Sequence, residues 1–250
     1  MIDSIVDILS DNSPSIYLYG SVVLNDFKLG WSDIDILCVT EKEITKKQTD
    51  ELLFLRRTLQ KSDNTNPYYS IFEGAILSEN ALVNDMPSQI VYWGTNKEDI
   101  KNHYNLDSFS LLEIIENGKL LHGNDIRNQI KKPSFENLYS DVKSHYKTIR
   151  NFAQNTNRSI YSFGWLLDIS RCIYTLRTGK IISKTAAGKW ALKNYICNVP
   201  DELKMALDVR ENPLKYKHDE SILDLSENLG ISVQKYADVL ENELKGVINE

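Results

Sequence analysis

The chain has 250 residues, of which 42% are hydrophobic and 26% are charged, as expected for a globular protein of one large or two small domains. Its net charge of −6 argues against a nucleic-acid-binding protein, which usually carries a basic patch, and is compatible with a cationic small-molecule substrate. No apolar run approaches the roughly 20 residues that cross a bilayer, so no membrane association is expected.

The N-terminal segment and the cysteines favour a cytoplasmic protein. Residues 1–10 have the pattern of an amphipathic helix with acidic residues, which differs from the basic start and apolar block of a signal peptide. The three cysteines, Cys38, Cys172 and Cys197, are odd in number and far apart in the chain. We therefore expect reduced thiols rather than disulfides.

Strand and helix patterns are mixed in the first half of the chain. Short apolar runs predict strands, and apolar residues at helical spacing predict helices. In chain order, the predicted elements are a helix at Met1–Ser10, strands at Ile16–Tyr19 and Ile34–Val39, a helix at Glu43–Leu59, strands at Tyr68–Leu77 and Gln89–Trp93, and a helix at Asp107–Ile115. A further helix could begin at Val22, and the composition of Ser62–Pro67 predicts a loop.

From about Asn124 onward the pattern is almost entirely helical. The predicted helices are Phe135–Phe152, Ser159–Leu176, Thr185–Tyr195, Asp201–Val209 and Ser221–Ile248, with Pro133, Gly179, Pro200 and Pro213 between them. The sequence therefore predicts an α+β fold, in which an N-terminal domain with a small mixed sheet, residues 1–128, precedes an all-helical C-terminal domain, residues 129–250.

Two aspartates mark the start of the second predicted strand. Asp33 and Asp35 are separated by one residue, and alternate residues of a strand point to the same side of a sheet. Two carboxylates this close repel each other, and their burial without compensation is costly. A divalent cation removes this conflict, and Mg²⁺ prefers carboxylate oxygens together with substrate phosphates. The pair therefore predicts a Mg²⁺ site.

Gly20 and Ser21, which follow the first predicted strand, are candidates for phosphate binding. A glycine lets the backbone approach a ligand closely, and a helix that began at Val22 would offer free N–H groups to an anion. Ser32, just before Asp33, adds a hydroxyl and another amide.

A third carboxylate, Glu73, interrupts the apolar strand Tyr68–Leu77, and Gly74 beside it suggests close approach by another group. If this strand pairs with Ile34–Val39, the carboxylates can converge, so that two bind metal and the third accepts a proton from an attacking hydroxyl. Two metal-binding carboxylates and a general base are the groups that metal-assisted nucleotidyl transfer requires. The alternatives are a turn or capping role for the aspartates and a solvent-facing edge-strand glutamate.

The stretch GS…SDIDIL resembles the signature of the DNA polymerase β-like nucleotidyltransferase superfamily, in which Gly-Ser precedes two acidic residues separated by one hydrophobic residue. Gly20, Ser21, Ser32, Asp33 and Asp35 all fit this signature. The resemblance implies that the N-terminal domain is a nucleotidyltransferase domain.

The segment Ser170–Leu192 is similar to a segment of the aminoglycoside adenylyltransferases that modify spectinomycin and streptomycin. Those enzymes also combine an N-terminal nucleotidyltransferase domain with a C-terminal helical domain. The resemblance implies that Glu73 is the catalytic base, that Arg171 and Lys184 reach the ATP phosphates, and that Asp107, which opens its helix, contacts the nucleotide. Without the resemblance, Arg171 and Lys184 would be interpreted as an ion pair or as exposed helical charges.

The implied function is a Mg²⁺-dependent adenylyltransferase that moves AMP from ATP to a hydroxyl of a small molecule and releases pyrophosphate. The implied acceptor is a cationic aminoglycoside or aminocyclitol antibiotic, and we expect a monomer. Family members that accept streptomycin hold it with a tryptophan and acidic residues; the nearest positions here, Asn96, Asn157 and Tyr161, provide no clear replacement set. Two alternatives stay open: a nucleotidyltransferase with another acceptor, such as a lincosamide, a metabolite or a protein hydroxyl, and a non-catalytic nucleotide-binding regulator.

Overall fold

The structure is a computed structural model that describes residues 1–61, 66–94, 98–104 and 106–248. The chain forms two compact units. The first, termed the sheet unit, consists of residues 1–25 and 33–132, and the second, termed the helical unit, consists of residues 26–32 and 133–250. None of the described helices is both long enough and apolar enough to span a membrane.

The sheet unit is built on a mixed sheet of six strands. These are β1 Ser15–Tyr19, β2 Ile34–Thr40, β3 Phe72–Ser78, β4 Ile90–Trp93, β5 Glu98–Lys101 and β6 Lys119–His122, in the order β5-β4-β3-β2-β1-β6. Strands β2 and β3 are parallel, and every other neighbouring pair is antiparallel. The parallel register places Asp35 opposite Glu73. The pairing of these two strands, on which convergence of the carboxylates depends, is therefore present.

Helices cover both faces of this sheet. Helices α1 Ile2–Ile8 and α2 Lys46–Lys61 pack on the face that carries Ile36 and Cys38. Helices α3 Glu79–Asn84 and α4 Ser108–Asn117 pack on the face that carries Leu37 and Val39. Because β2 is buried on both faces, its sequence is a continuous apolar run after Asp35 rather than an alternating one.

Local capping signals determine where α2 and α4 begin. The Thr45 hydroxyl accepts a hydrogen bond from the Gln48 N–H at 3.2 Å, and the Gln48 side chain accepts one from the Thr45 N–H at 3.0 Å. This reciprocal pair starts α2 at Lys46, three residues after the predicted start. Asp107 caps α4 by accepting a hydrogen bond from the Ser110 N–H at 2.8 Å, and Gly118 ends that helix as predicted.

The helical unit contains seven helices among its described residues. They are α5 Phe135–Phe152, α6 Gly164–Thr178, α7 Lys184–Lys193, α8 Pro200–Glu211, α9 Pro213–Tyr216, α10 Glu220–Glu227 and α11 Gly230–Ile248. Helix α6 packs against α5, α7, α8 and α11, and is therefore the central helix of the unit. The α+β architecture and the helical second half confirm the predicted fold class.

The segment 26–32 belongs to the helical unit, although in sequence it lies between Ser21 and Asp33. The buried carboxylate of Asp26 accepts hydrogen bonds from Arg210 Nη2 at 2.9 Å and from the Thr185 N–H at 3.2 Å. The rings of Trp31 and Tyr161 are in contact, with centroids 5.4 Å apart. The helical unit is therefore not one continuous stretch of sequence. The domain boundary between residues 128 and 129 stays a prediction.

The helix that could begin at Val22 is not formed. Residues 21–25 make a turn, in which the Leu24 N–H donates to the Gly20 carbonyl at 3.2 Å and Asn25 has φ of 53°. A residue in this left-handed region ends a helical turn, and the chain then continues into the segment 26–32.

The predicted strand Tyr68–Leu77 begins only at Phe72. The guanidinium of Arg56, which is fully buried, donates to the carbonyls of Tyr69 at 3.1 Å and of Ser70 at 2.9 Å. These carbonyls are therefore bonded to a side chain rather than to a neighbouring strand. Of the predicted loop Ser62–Pro67, residues 62–65 lie outside the described residues.

The single helix predicted at Ser221–Ile248 is in fact two helices, α10 and α11. The second begins at Gly230, where an added Cβ would lie 2.0 Å from the carbonyl oxygen of Gln154. The predicted helix Ser159–Leu176 also starts differently, with a 3-10 turn at Ile160–Phe163 before α6. Four short elements, α3, β5, β6 and α9, were not predicted from the sequence.

Candidate active site

Asp35 and Glu73 lie side by side at the beginning of β2 and β3. They are opposite each other in the parallel register, and Asp33 precedes β2 immediately. The Ile34 N–H donates to the Ile71 carbonyl at 2.8 Å and so starts the pairing of the two strands. The group that approaches Gly74 closely is the backbone of β2. A Cβ added at Gly74 would lie 1.8 Å from the Ile36 carbonyl oxygen.

Gly20 lies against the carboxylate of Asp35. It has φ of +71°, and an added Cβ would be 1.9 Å from Asp35 Oδ2. Only glycine leaves room for this carboxylate at the end of β1. The hydroxyl of Ser21, the next residue, donates to the Asp33 carbonyl at 3.5 Å. The two parts of the motif, which are 13 residues apart in the sequence, are thus brought together by the antiparallel pairing of β1 and β2.

Three tyrosines surround this group of carboxylates. Burial, reinforced by the charges of Asp35 and Glu73, raises the pKa of Tyr19, the partner of Asp35 on β1. Burial and the charges of Glu73, Asp107 and Asp35 raise the pKa of Tyr104 to about 12. The same carboxylates therefore act on both phenols, which indicates that their negative charges converge in one region.

Tyr92, the third tyrosine, is hydrogen-bonded to Glu73. Its hydroxyl donates to Glu73 Oε1. Burial raises the pKa of Tyr92, and the bond to Glu73 and the charges of Glu73 and Asp33 raise it further. Tyr92 was not identified from the sequence. Because side chains alternate between the two faces of a strand, Tyr92 lies on the same face of the sheet as Ala75 and Glu73.

Arg56 is a buried cation close to the carboxylates, and it also was not identified from the sequence. Besides the carbonyls of Tyr69 and Ser70, it donates to the Gly94 carbonyl at 2.9 Å. Burial lowers the pKa of Arg56, against the charges of Glu98, Glu73 and Asp33. An arginine on the apolar face of α2 was the sequence signal. Arg56 fixes the turn that leads into β3 and thus the position from which Glu73 projects.

Ser32 and Asp107 have local partners. The hydroxyl of Ser32, which is buried, accepts a hydrogen bond from the Lys28 N–H at 3.1 Å within the segment 26–32. One oxygen of Asp107 accepts the capping bond at the start of α4, as expected for a residue that opens a helix. Asp107 also acts on the pKa of Tyr104, which places it near the group of carboxylates in the sheet unit.

Arg171 and Lys184 lie together in the helical unit, on either side of Asp168. Lys184 Nζ is 2.9 Å from Asp168 Oδ1, and Arg171 Nη2 is 3.8 Å from the same oxygen. Burial opposes ionisation of Asp168, but the charges of Lys184 and Arg171 outweigh it and lower the pKa of this carboxyl. Both cations therefore pair with the same carboxylate, that of Asp168. Asp168 lies three residues before Arg171 and was not identified from the sequence.

The positions nearest to the streptomycin-binding residues of the family have no acidic side chain. Asn96 lies outside the described residues. The Asn157 carbonyl accepts a hydrogen bond from the Ser162 hydroxyl at 2.7 Å, and the Tyr161 hydroxyl donates to the Gly30 carbonyl at 3.2 Å. Both residues thus hold parts of the helical unit together.

The donor set at the start of β2 suits an ion that also binds a phosphate. Among residues 1–61, 66–94, 98–104 and 106–248, no three His, Cys, Asp or Glu side chains form a ready-made metal site. Mg²⁺ needs only one or two protein carboxylates when substrate phosphates and water complete its shell. Asp33 and Asp35 are the two carboxylates that would hold such an ion.

Two family models match the chain. The nucleotidyltransferase domain matches residues 2–80, which include β1, β2 and β3. The C-terminal domain of aminoglycoside adenylyltransferase matches residues 132–229 in the helical half. No curated protein has a significant sequence match to the chain.

The fold is similar to that of a solved enzyme. The crystal structure of spectinomycin adenyltransferase AAD(9) from Enterococcus faecialis, with ATP and spectinomycin, has a TM-score of 0.71 and 18% sequence identity. The similarity covers 96% of this chain and 96% of that chain. The matched domains show that the chain joins a nucleotidyltransferase domain to the C-terminal domain of the aminoglycoside adenylyltransferases, in that order, and the fold agrees with this assignment.

Proposed function

We propose that the protein is a Mg²⁺-dependent adenylyltransferase that transfers AMP from ATP to a hydroxyl of an aminoglycoside or aminocyclitol antibiotic. The observation that carries the proposal is the register of β2 and β3, which sets Asp35 opposite Glu73 and against Gly20 within the matched nucleotidyltransferase domain. The similar enzyme that was crystallised with ATP and spectinomycin supports both substrate classes.

Glu73 is the proposed catalytic base. Its carboxylate accepts the proton of the acceptor hydroxyl, and the oxygen attacks the α-phosphorus of ATP. The bond from the α-phosphorus to the bridging oxygen breaks, so that AMP is transferred and pyrophosphate leaves with the electron pair. Gly20 and Ser21 contribute backbone N–H groups and a hydroxyl to the phosphates, and Ser32 contributes a further donor.

Asp33 and Asp35 are the proposed metal ligands. They would hold a Mg²⁺ ion, whose charge would offset that of the phosphates and of the leaving pyrophosphate. The ion also resolves the repulsion between two carboxylates that are separated by one residue.

Arg171 and Lys184 are proposed to stabilise charge on the triphosphate, and Asp107 to contact the nucleotide. Asp168 holds both cations in the helical unit and would share them with the phosphates. An arginine and a lysine suit this role because charge-assisted hydrogen bonds to phosphate are stronger than neutral ones.

The charge near Glu73 favours a cationic acceptor. Asp33, Asp35, Glu73 and Asp107 all act on the tyrosines of the sheet unit, so negative charge is concentrated there. A surface lined by one sign of charge raises the local concentration of ligands of opposite charge. An aminoglycoside or aminocyclitol carries several amino groups and fits this requirement.

The test is release of pyrophosphate from Mg·ATP by purified protein, with spectinomycin, streptomycin, other aminoglycosides and lincomycin as separate acceptors. We expect release with a cationic antibiotic, and its loss when EDTA removes the divalent ion. Asp35→Asn and Glu73→Gln should fold normally and lose at least about 100-fold in kcat, because each removes a group required for the transfer.

Asp50→Asn, an exposed aspartate on α2, is the matched control and should keep full activity. An active Asp35→Asn enzyme would contradict the proposed site. Release with lincomycin alone would keep the transferase chemistry and replace the acceptor class.

A further inference from the structure

We propose that Tyr92 is a positioning residue for the transfer, which holds one oxygen of the Glu73 carboxylate and leaves the other for the acceptor hydroxyl. The proposal rests on the proposed function, in which Glu73 is the base. It assigns a role to a residue outside the acidic motif and on a different strand.

The register of the sheet places Tyr92 within reach of Glu73. Strand β4 is antiparallel to β3, with Ala75 opposite Tyr92, so that Tyr92 is the diagonal neighbour of Glu73 on the same face. The Tyr92 hydroxyl donates to Glu73 Oε1. A carboxylate has two oxygens, and each can accept hydrogen bonds. Oε2 can therefore receive the proton of the acceptor while Oε1 stays bonded.

The ring of Tyr92 is itself held in place. The Lys101 ammonium lies 3.9 Å from its centroid, and the ring of Tyr104 lies 5.5 Å from it at an interplanar angle of 36°. Lys101 comes from β5, on the far side of β4. A cation over the face of a phenol and a tilted aromatic contact both favour one ring position. The hydroxyl is thus aimed at Glu73 by groups from two other parts of the chain.

The hydroxyl remains a donor over the working pH range. Burial, the bond to Glu73 and the neighbouring negative charges all raise the pKa of Tyr92, so the phenol keeps its proton. Asp33 and Asp35 repel the negative charge of Glu73, and the proton donated by Tyr92 offsets part of that repulsion. Loss of the hydroxyl should therefore leave the Glu73 carboxylate less well oriented.

Other charged and titratable groups also face this region. They come from β1, β2, α2, β5 and the segment around α4, and they are Tyr19, Asp33, Asp35, Arg56, Lys101, Tyr104, Asp107 and Glu113. All of them remain in a variant that lacks only the Tyr92 hydroxyl, so a change in kcat can be assigned to that hydroxyl.

The test is Tyr92→Phe, which keeps the ring and its contact with Lys101 and removes the hydroxyl. With the acceptor identified in the pyrophosphate assay, we expect kcat to fall roughly 10- to 100-fold while KM for ATP stays within about twofold of wild type. Tyr195→Phe, at a tyrosine that is 94% exposed, should change neither quantity.

The outcomes separate the inference from the proposed function. If wild type is active, Glu73→Gln is inactive and Tyr92→Phe has the kcat of wild type, the inference is wrong and the proposed function stands. If Tyr92→Phe lowers only the melting temperature, Tyr92 is merely structural and the inference is again wrong. If wild type transfers AMP to no acceptor, both are overturned. Lys101→Met, which frees the ring but keeps the hydroxyl, should give a smaller fall in kcat than Tyr92→Phe; a larger fall would contradict the inference.

Discussion

Gly20 combines an unusual backbone conformation with a close contact to the acidic motif. Its φ of +71° is unfavourable for residues with a Cβ, and the space next to its Cα is filled by the Asp35 carboxylate. Gly179 has a similar φ of +65° at the end of α6, but the nearest atom to an added Cβ is there an ordinary 3.9 Å away. The two glycines therefore share the conformational requirement, and only Gly20 has the additional steric one.

We predict that Gly20→Ala lowers AMP transfer at least about 100-fold, because the new Cβ displaces the Asp35 carboxylate. Gly179→Ala should keep activity and lose about 1–2 kcal/mol of unfolding free energy, which is the conformational cost alone. Transfer assays and urea unfolding of both variants test this. Equal activity of the two variants would show that the contact between Gly20 and Asp35 has no catalytic importance.

At the scale of elements, the segment 26–32 depends on a buried ion pair. Asp26 and Arg210 are both almost fully buried, and Arg210 Nη2 lies 2.9 Å from Asp26 Oδ2. The guanidinium carbon of Arg210 also lies 5.6 Å from the centroid of the Trp31 ring. Arg210 Nε is 3.2 Å from the Thr185 hydroxyl. The segment joins directly to Asp33 through the chain. Its contacts with α7 and α8 therefore fix this segment within the helical unit.

We predict that Arg210→Met costs about 3–5 kcal/mol of unfolding free energy, because it leaves the Asp26 carboxylate buried without a counter-charge. Arg158→Met is the matched control in the same unit. Arg158 pairs with Glu220 and Asp224 at the surface, where ion pairs contribute little, so its loss should be small. Urea unfolding at neutral pH measures both. A similar loss in the two variants would argue that the buried pair has no special role.

At the scale of the whole molecule, several carboxyl groups are more acidic than usual. Burial raises the pKa of Asp26, but the charge of Arg210 and hydrogen bonds from Thr185 and Arg210 outweigh burial and lower it below its ordinary value of 3.8. The pKa of Asp168 is lowered in the same way by Lys184 and Arg171. A group with a lowered folded-state pKa stabilises the fold above its unfolded pKa, and this contribution is lost as pH falls through the folded pKa.

We predict that the unfolding free energy is steady from about pH 7 to 5 and decreases as the pH falls below about 4. Asp26→Asn should be less stable than wild type at pH 7 and should show a weaker decrease below pH 4, because one of the responsible groups is absent. Urea unfolding at pH 7, 5, 4 and 3 tests this. An unchanged pH dependence in Asp26→Asn would assign the acid sensitivity to other carboxyl groups.

Much of this organisation is encoded locally in the sequence. Short apolar runs predicted β1, β2 and β4, and apolar residues at helical spacing predicted α5, α6, α7 and α8. Asp107 and Gly118 marked both ends of α4, whereas α2 was predicted to begin three residues too early, at Glu43. The acidic motif was also recognisable, because strand alternation alone places Asp33 and Asp35 on one side. These signals depend on residues a few positions apart.

Tertiary contacts decided the rest. The edge strands β5 and β6 have four residues each and exist because they pair with β4 and β1. The space beside Gly230, the first residue of α11, is filled by the distant Gln154 carbonyl, and the buried Arg56 donates its hydrogen bonds to distant carbonyls. The partners of the site residues, Tyr92 for Glu73 and Asp168 for Lys184, are likewise 19 and 16 positions away. Sequence by itself determined the elements and the chemistry of the acidic motif, because periodicity and capping act over neighbouring residues. Only the tertiary structure determined which side chains position the site residues, because packing and hydrogen bonding join residues that are far apart in the sequence.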